Sequence, residues 1–533
     1  MAPNNNYRKF IPFPKDRALL YKASGYWVGQ THTDFIQEAC IRYPNNIAII
    51  QDDLSITYKD FYEKVVKYGS YLKWKGIKKE DFIILQSPNT AAFFVALFGI
   101  YYAGARPIFA LDGHGAHEIE NIAKSSGAIG YIRIIKNRSI KDDVTSIIDK
   151  FIERNVHLLY QQTIYSDDNI DFMVPVSEFN SIISPESVDS ESIAFLQLSG
   201  GTTGMPKLIP RTHDDYLYSV RESAKVAQLH PLSKQLIVLP ISHNFTMSSP
   251  GFLGALYSGA TIVLAENGSP DTCFPLIAHH KISQISLVPS LAILWLNSSL
   301  LESYDLSSLE VIQVGGSELL PKIAERLINT LNIKLQQVYG MAEGLVNFTH
   351  LNDDLNTIIN TQGKKLSPSD EILIVDNDGN KLPTNSIGNI ITRGPYTING
   401  YYNASEINLL SFTKEGFYIT GDIGYLDEDL NIVVTGRAKN QINRAGEKIS
   451  PSELENLIIS HPLVKDVSVV GVKDDLLGEK IKVKLISLDK NSAISLSDIR
   501  TFLLSKNVAE YKLPDEIELV TSFPHTLIGK VKR

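Results

Sequence analysis

Cysteine is nearly absent from this 533-residue chain. There are two, Cys40 and Cys273, too few and too far apart for a disulfide framework or a CxxC motif. Long apolar runs are also missing. The longest, residues 91–105 (AAFFVALFGIYYAGA), falls short of the roughly 18–20 residues a membrane span needs and reads as a buried helix. The opening MAPNNNYRKF lacks the apolar core of a secretory signal, which points to a cytoplasmic location and no membrane partner. Twelve histidines contain no HExxH pair, so the zinc-hydrolase signature is missing. There is no basic excess either: 51 Lys and Arg face 59 Asp and Glu, with no basic stripe, which argues against nucleic acid. No repeat or low-complexity tract occurs.

What is present describes a soluble globular protein with more than one core: 44% hydrophobic residues and a mean hydropathy of −0.04. Charge divides unevenly. From Arg437 onward the balance is +3, whereas the preceding residues carry −11. A mildly basic terminal unit suits a lid over phosphates, although ordinary surface variation gives the same split. Short β-branched runs alternate with helical patterns: FIILQ (82–86), QLIVLP (235–240), ATIVLA (260–265), QISLVPS (284–290), EVIQVGGSEL (310–319) and LQQVYGMAEG (335–344). Nearly all-apolar runs of this length predict strands buried on both faces and mainly parallel α/β layers. The pattern shifts after VVTG, where RAKNQINRAGEKI begins. The expected architecture is α/β: a large N-terminal body of layered α/β subdomains (residues 1–436) and a small α+β C-terminal unit (437–533).

The densest chemistry lies in residues 198–211, LSGGTTGMPKLIPR. Glycines let a backbone approach a ligand, and Ser199, Thr202, Thr203 and Lys207 add hydroxyls and a cation, a combination suited to a polyphosphate. It is not a P-loop, because Met205 and Pro206 separate Gly204 from Lys207 and Pro206 disfavours helix there. The bland alternative is a flexible turn. Further along, Gly315 and Gly316 follow an apolar strand, where backbone could lie flat against a base. Tyr339 and Glu343 stand four apart, an aromatic face and a carboxylate for Mg²⁺. Asp422 sits in a Gly-Asp turn and could accept two ribose hydroxyls, with Arg437 offering a rigid donor fork. Singly, each is better read as a turn acid, a core tyrosine or a surface ion pair. Their order along one chain favours a common site.

In that order the motifs resemble the adenylate-forming superfamily of acyl-CoA synthetases, nonribosomal-peptide adenylation domains and luciferases, across essentially the whole chain. SHNFTMSSPGFLGALYSGA (242–260) and GMAEGLVNFTHLNDD (340–354) are similar to the stand-alone aryl-acid adenylating enzymes of siderophore assembly. The resemblance implies ATP-dependent activation of an aryl acid to its adenylate, with release of pyrophosphate. Transfer to the phosphopantetheine thiol of a holo aryl carrier protein follows, with rotation of the small domain between the two steps.

By motif position it also implies the roles of single residues. Ser199, Gly200, Gly201, Thr202, Thr203, Gly204 and Lys207 would hold the β- and γ-phosphates. Gly315, Gly316, Val338, Tyr339 and Gly340 would surround adenine, Glu343 would bind Mg²⁺, and Asp422 and Arg437 would hold the ribose. Lys530 would reach the carboxylate and α-phosphate. Lys439 would be the hinge, and with Asn440, Arg444, Gly446 and Lys448 would face the pantetheine arm and carrier. His243, Asn244, Phe245, Ser249, Ala342 and Val346 would line the acid pocket. Asn244 stands where amino-acid-activating relatives carry an Asp, which argues against an amine substrate. Ser249 and Val346 fit 2,3-dihydroxybenzoate, whereas salicylate enzymes carry Cys and Leu there. Phe245-Thr246 replaces the usual Tyr-Pro, which removes a hydroxyl. Salicylate activation, aryl-CoA ligation and a non-catalytic ATP-binding scaffold stay open as alternatives.

Overall fold

A computed structural model describes residues 9–136, 158–165, 179, 181–199, 206–438, 441–444, 447–474, 477–488, 494–506, 508 and 510–523. The run at 91–105 forms helix Ala91–Tyr102, in which every residue is buried. A helix apolar on all sides has no face for water and must sit between layers. Here its core includes Ile49 of one sheet, Ile83 and Leu85 of another, and Phe252 of a neighbouring helix.

The first of those sheets has nine strands, in the order Lys364–Lys365, Gly344–Phe348, Lys334–Met341, Val311–Gly315, Gln284–Leu287, Lys234–Ile237, Thr261–Leu264, Ile47–Gln51 and Leu54–Thr57. The six from Lys334–Met341 to Ile47–Gln51 run parallel, and the outer pairings are antiparallel. The second has six strands: Tyr160–Tyr165, Gly130–Ile135, Phe82–Gln86, Arg106–Ala110, Ile193–Leu198 and Leu208–Thr212. A four-stranded antiparallel sheet follows, built from Glu371–Val375, Gly388–Arg393, Tyr418–Leu426 and Ile432–Arg437.

Past Arg437 the chain enters a separate sheet of Ile442–Arg444, Glu447–Ile449, Val464–Asp474, Gly478–Ser487 and Glu516–Leu519, packed on helices Pro451–Ile458 and Leu496–Ser505. This small β-rich unit docks on the loop after strand Val311–Gly315. Asn456 Nδ2 donates to Glu318 Oε1 at 2.7 Å, and Leu320 touches the cores of both bodies.

Most of the strands read from apolar runs are shorter than the sequence pattern, and two have a local cause. QISLVPS ends as a strand at Leu287, because Pro289 opens helix Pro289–Leu296, where its missing N–H is not needed. LQQVYGMAEG ends as a strand at Met341 and turns at Ala342–Glu343 into the antiparallel strand Gly344–Phe348.

Candidate active site

The glycine- and threonine-rich loop joins the antiparallel strands Ile193–Leu198 and Leu208–Thr212 and is tied at its base. Ser199 N donates to Lys207 O at 3.0 Å, and Lys207 N donates to Ser199 Oγ at 2.9 Å. Gly200, Gly201, Thr202, Thr203 and Gly204 lie outside the described residues. Lys207 Nζ stands 4.4 Å from the centroid of the Tyr401 ring, and the Tyr401 hydroxyl donates to Glu343 Oε1 at 2.8 Å. Tyr418 Oη is 3.0 Å from that same hydroxyl. One phenol thus joins the loop lysine to the carboxylate expected to hold a metal. Burial, reinforced by the Glu343 charge, pushes the Tyr401 and Tyr418 hydroxyls up, so both remain neutral donors.

At Gly315 an added Cβ would lie 2.7 Å from Val338 O and 3.1 Å from Phe245 Cζ. Only hydrogen fits, which leaves a flat backbone wall between the two residues. Gly316 then turns the chain with φ +87°. Tyr339 Oη donates to Asp422 Oδ2 at 2.8 Å, while Arg437 Nε contacts Asp422 Oδ1 at 2.8 Å. Asp422 is not in a turn. It lies within strand Tyr418–Leu426, and antiparallel register sets it directly opposite Arg437. The Asp422 charge raises the Arg437 guanidinium against the opposing effect of burial.

The residues expected to line an acid pocket lie on short elements beside this wall. His243 caps helix Asn244–Met247, its Nδ1 accepting from Phe245 N at 3.3 Å, and that helix packs on strand Lys334–Met341. Phe245, Val338 and Val346 share one core, and Val346 pairs with Gly340 across the hairpin. Asn244 Oδ1 accepts from the Tyr216 hydroxyl at 2.9 Å. Ser249 has φ +88°, a left-handed value rare outside glycine. The carbonyl of Ala342 accepts from Arg211 Nη1 at 2.9 Å, and Arg211 is itself bound to buried Asp215.

In the small unit Arg444 makes a two-pronged bond to Asp515, Nε to Oδ2 at 3.0 Å and Nη2 to Oδ1 at 2.7 Å. Lys448 pairs through its backbone with Asn443, and its side chain lies outside the described residues. Lys439, Asn440, Gly446 and Lys530 lie outside them too. Sequence reasoning missed Arg211, Tyr216, Tyr401 and Tyr418. All four are aromatic or basic residues on strands, helices or turns whose patterns read as packing. Only their hydrogen bonds reveal a link to the site: Arg211 to Ala342, Tyr216 to Asn244, Tyr401 to Glu343, and Tyr418 to Tyr401.

The hairpin Lys334–Met341 and Gly344–Phe348 therefore meets Lys207 through Tyr401, the Asp422–Arg437 pair through Tyr339, and the Asn244 helix through its first strand. By its relatives the chain is an adenylate-forming ligase. The chain belongs to the AMP-binding enzyme family, whose model matches residues 36–402, and the AMP-binding enzyme C-terminal domain matches residues 453–530. It is 40% identical to the 2,3-dihydroxybenzoate-AMP ligase of Bacillus subtilis over 98% of this chain and 96% of that one. With the salicyl-AMP ligase / salicyl-S-ArCP synthetase of Mycobacterium tuberculosis it shares 37% identity over 100% and 94% of the two chains. The apo structure of MbtA from Mycobacterium smegmatis superimposes with a TM-score of 0.75 at 36% identity, covering 98% of this chain and 97% of that one. Among the described residues no helix is long and apolar enough to cross a membrane.

Proposed function

We propose that this chain activates 2,3-dihydroxybenzoate with ATP and passes the aryl group to the phosphopantetheine thiol of a holo aryl carrier protein. In the first step a carboxylate oxygen attacks the α-phosphorus, the bond to the bridging oxygen breaks, and pyrophosphate leaves. In the second the thiol sulfur attacks the acyl carbon, loses its proton, and displaces AMP. The observation that carries the reading is the single hairpin touching all three parts of the site, because joining two anions demands their alignment more than a protein nucleophile.

Lys207 and the Ser199–Gly204 loop would take the β- and γ-phosphates, with Gly315, Gly316, Val338, Tyr339 and Gly340 around adenine. Asp422 and Arg437 would receive the ribose. Lys530 would bring a positive charge to the carboxylate and α-phosphate. Magnesium fits Glu343. A single half-buried carboxylate is enough for an ion that keeps its waters and takes the rest of its shell from phosphates. When bound it would neutralise phosphate charge. Among the described residues no cluster of three or more His, Cys, Asp or Glu forms an all-protein metal cage, in keeping with that division of ligands. Lys439 would serve as hinge, dividing residues 1–436 from the lid 437–533. Asn440, Arg444, Gly446 and Lys448 would face the carrier, Arg444 through the strand that its bond to Asp515 holds in place.

Whole-chain identity does not choose the acid, since relatives named for 2,3-dihydroxybenzoate and for salicylate stand at 40% and 37%. The pocket residues support 2,3-dihydroxybenzoate: neutral Asn244 instead of an acid, small polar Ser249, and Val346 on the hairpin. An unpaired buried hydroxyl would disfavour a substrate lacking the 3-hydroxyl. ATP–pyrophosphate exchange over 2,3-dihydroxybenzoate, salicylate and benzoate tests the reading, and the first should exchange fastest. A salicylate preference would refute the roles of Ser249 and Val346. ATP binding without exchange on any acid would favour a scaffold, and thioester formation on free CoA but not on a holo carrier would favour a CoA ligase.

A further inference from the structure

Resting on that reading, one residue behind the pocket determines what Asn244 can recognise. A primary amide has a donor end and an acceptor end of nearly equal size, so its selectivity depends on which end faces the ligand. The Tyr216 hydroxyl lies 2.9 Å from Asn244 Oδ1. Tyr216 stands on helix His213–Val226 with its ring clamped on three sides. The Phe195 ring meets it edge-on at 4.6 Å between centroids, His32 stacks at 6.3 Å, and the Arg211 guanidinium lies 4.7 Å over it. Burial pushes the phenol far above its ordinary range, so it keeps its proton and donates. A cation over the ring draws electron density away and strengthens that donation.

We propose that Tyr216 is a positioning residue that fixes the Asn244 amide, occupying Oδ1 and leaving the two Nδ2 hydrogens for the acid. Asn244 then selects an acceptor, a carboxylate or an ortho oxygen, and rejects an ortho amine that would bring its own hydrogens. Reversing the amide would bring Nδ2 to the phenol oxygen, which would then have to accept, and the buried O–H would lose the acceptor it has in Oδ1. The specificity of the pocket is therefore written one layer behind its surface.

Tyr216→Phe keeps the ring and removes the donor. Exchange assays with salicylate and 2-aminobenzoate, which differ only in the ortho group, should show KM for salicylate rising about three- to tenfold. KM for ATP should hold steady, and the 2-aminobenzoate to salicylate ratio of kcat/KM should rise. That ratio is measured on one preparation and is independent of the folded fraction. In an Asn244→Ala background, Tyr216→Phe should change neither ratio nor KM. An unchanged ratio, or equal effects with and without the Asn244 amide, would overturn the assignment while leaving the aryl-acid reading intact. A wild-type chain inactive on every aryl acid would overturn both.

Discussion

Arg211 and Asp215 form an ion pair with side chains only 2% and 1% exposed, and all three guanidinium nitrogens donate. Nε goes to Asp215 Oδ1 at 2.9 Å, Nη1 to Ala342 O at 2.9 Å and Nη2 to Tyr396 O at 3.0 Å. Arg211→Met keeps much of the stem and removes every bond. Asp215 retains Thr212 N at 2.8 Å and Thr212 Oγ1 at 3.0 Å but loses its counter-charge. Stranding a buried charge costs about 3–5 kcal/mol, and two carbonyls also lose a charged donor. With an unfolding entropy of roughly 2 cal/mol/K per residue over a cooperative body of roughly 400 residues, a loss of about 4 kcal/mol lowers Tm by ~5 °C. Arg211→Met/Asp215→Leu removes the stranded charge and should recover at least half of that loss, since the unpaired carboxylate dominates it. Both variants are read by calorimetry beside wild type. A double variant no more stable than the single one refutes the charge argument and leaves the two carbonyl bonds as the cause. The single variant should also raise KM for ATP, because Ala342 adjoins Glu343 in the turn that Arg211 holds.

Three further outcomes follow from groups already described or buried nearby. His32 and His213 share a 2.9 Å contact, and burial lowers both, His213 to about 3, so the unfolded chain takes up protons below pH 6.5 that the native state refuses. Their contribution is present above pH 6.5 and lost as pH falls toward 3, by up to about 1.4 kcal/mol per pH unit for each histidine. The urea midpoint of wild type should drop relative to that of His213→Gln as pH goes from 7 to 5; parallel slopes would contradict the assignment. Asp370 has the opposite sign. Burial raises it to about 7 against the hydrogen bonds from Tyr396 and Ser367 N, so its contribution is full below pH 3.8 and lost as pH rises through 7. Asp370→Asn should therefore gain Tm over wild type at pH 8 and lose that advantage by pH 4 in scanning fluorimetry; a constant offset rules the titration out. Tyr401→Phe keeps the ring beside Lys207 and removes the bond to Glu343, so KM for Mg-ATP in the exchange assay should rise about three- to tenfold with KM for the acid unmoved. An unchanged nucleotide KM would separate Glu343 from the metal.

The sequence was most legible where one physical demand dominates a stretch. The all-apolar run at 91–102 had to be buried between layers, and the β-branched runs had to be sheet interior; both are found so. The pairing of Asp422 with Arg437 is different. It depends on antiparallel register between two strands, and a Gly-Asp dipeptide alone reads as a turn. Tyr216 and Arg211 sit on a helix and a strand with ordinary apolar neighbours, and their work is set by distant residues, Asn244, Ala342 and Tyr396. Tyr401 gave no signal beyond an aromatic after Asn-Gly, because the partners that define it come from the loop and the hairpin.

Residues 315–320 carry two loads: Gly315 lies flat against Val338 and Phe245, while Glu318 and Leu320 hold the small unit. Removing Leu320 from contact with that unit's core would re-expose apolar surface worth on the order of 1–3 kcal/mol, besides breaking the Glu318–Asn456 bond. The small unit is thus fastened within a few residues of the backbone proposed to face the nucleotide, and not to some remote corner of the body. If the small unit moves as proposed, a force that loosens one end of this short strap is felt at the other, and by reciprocity ligand that stiffens residues 315–316 would change how readily the unit leaves.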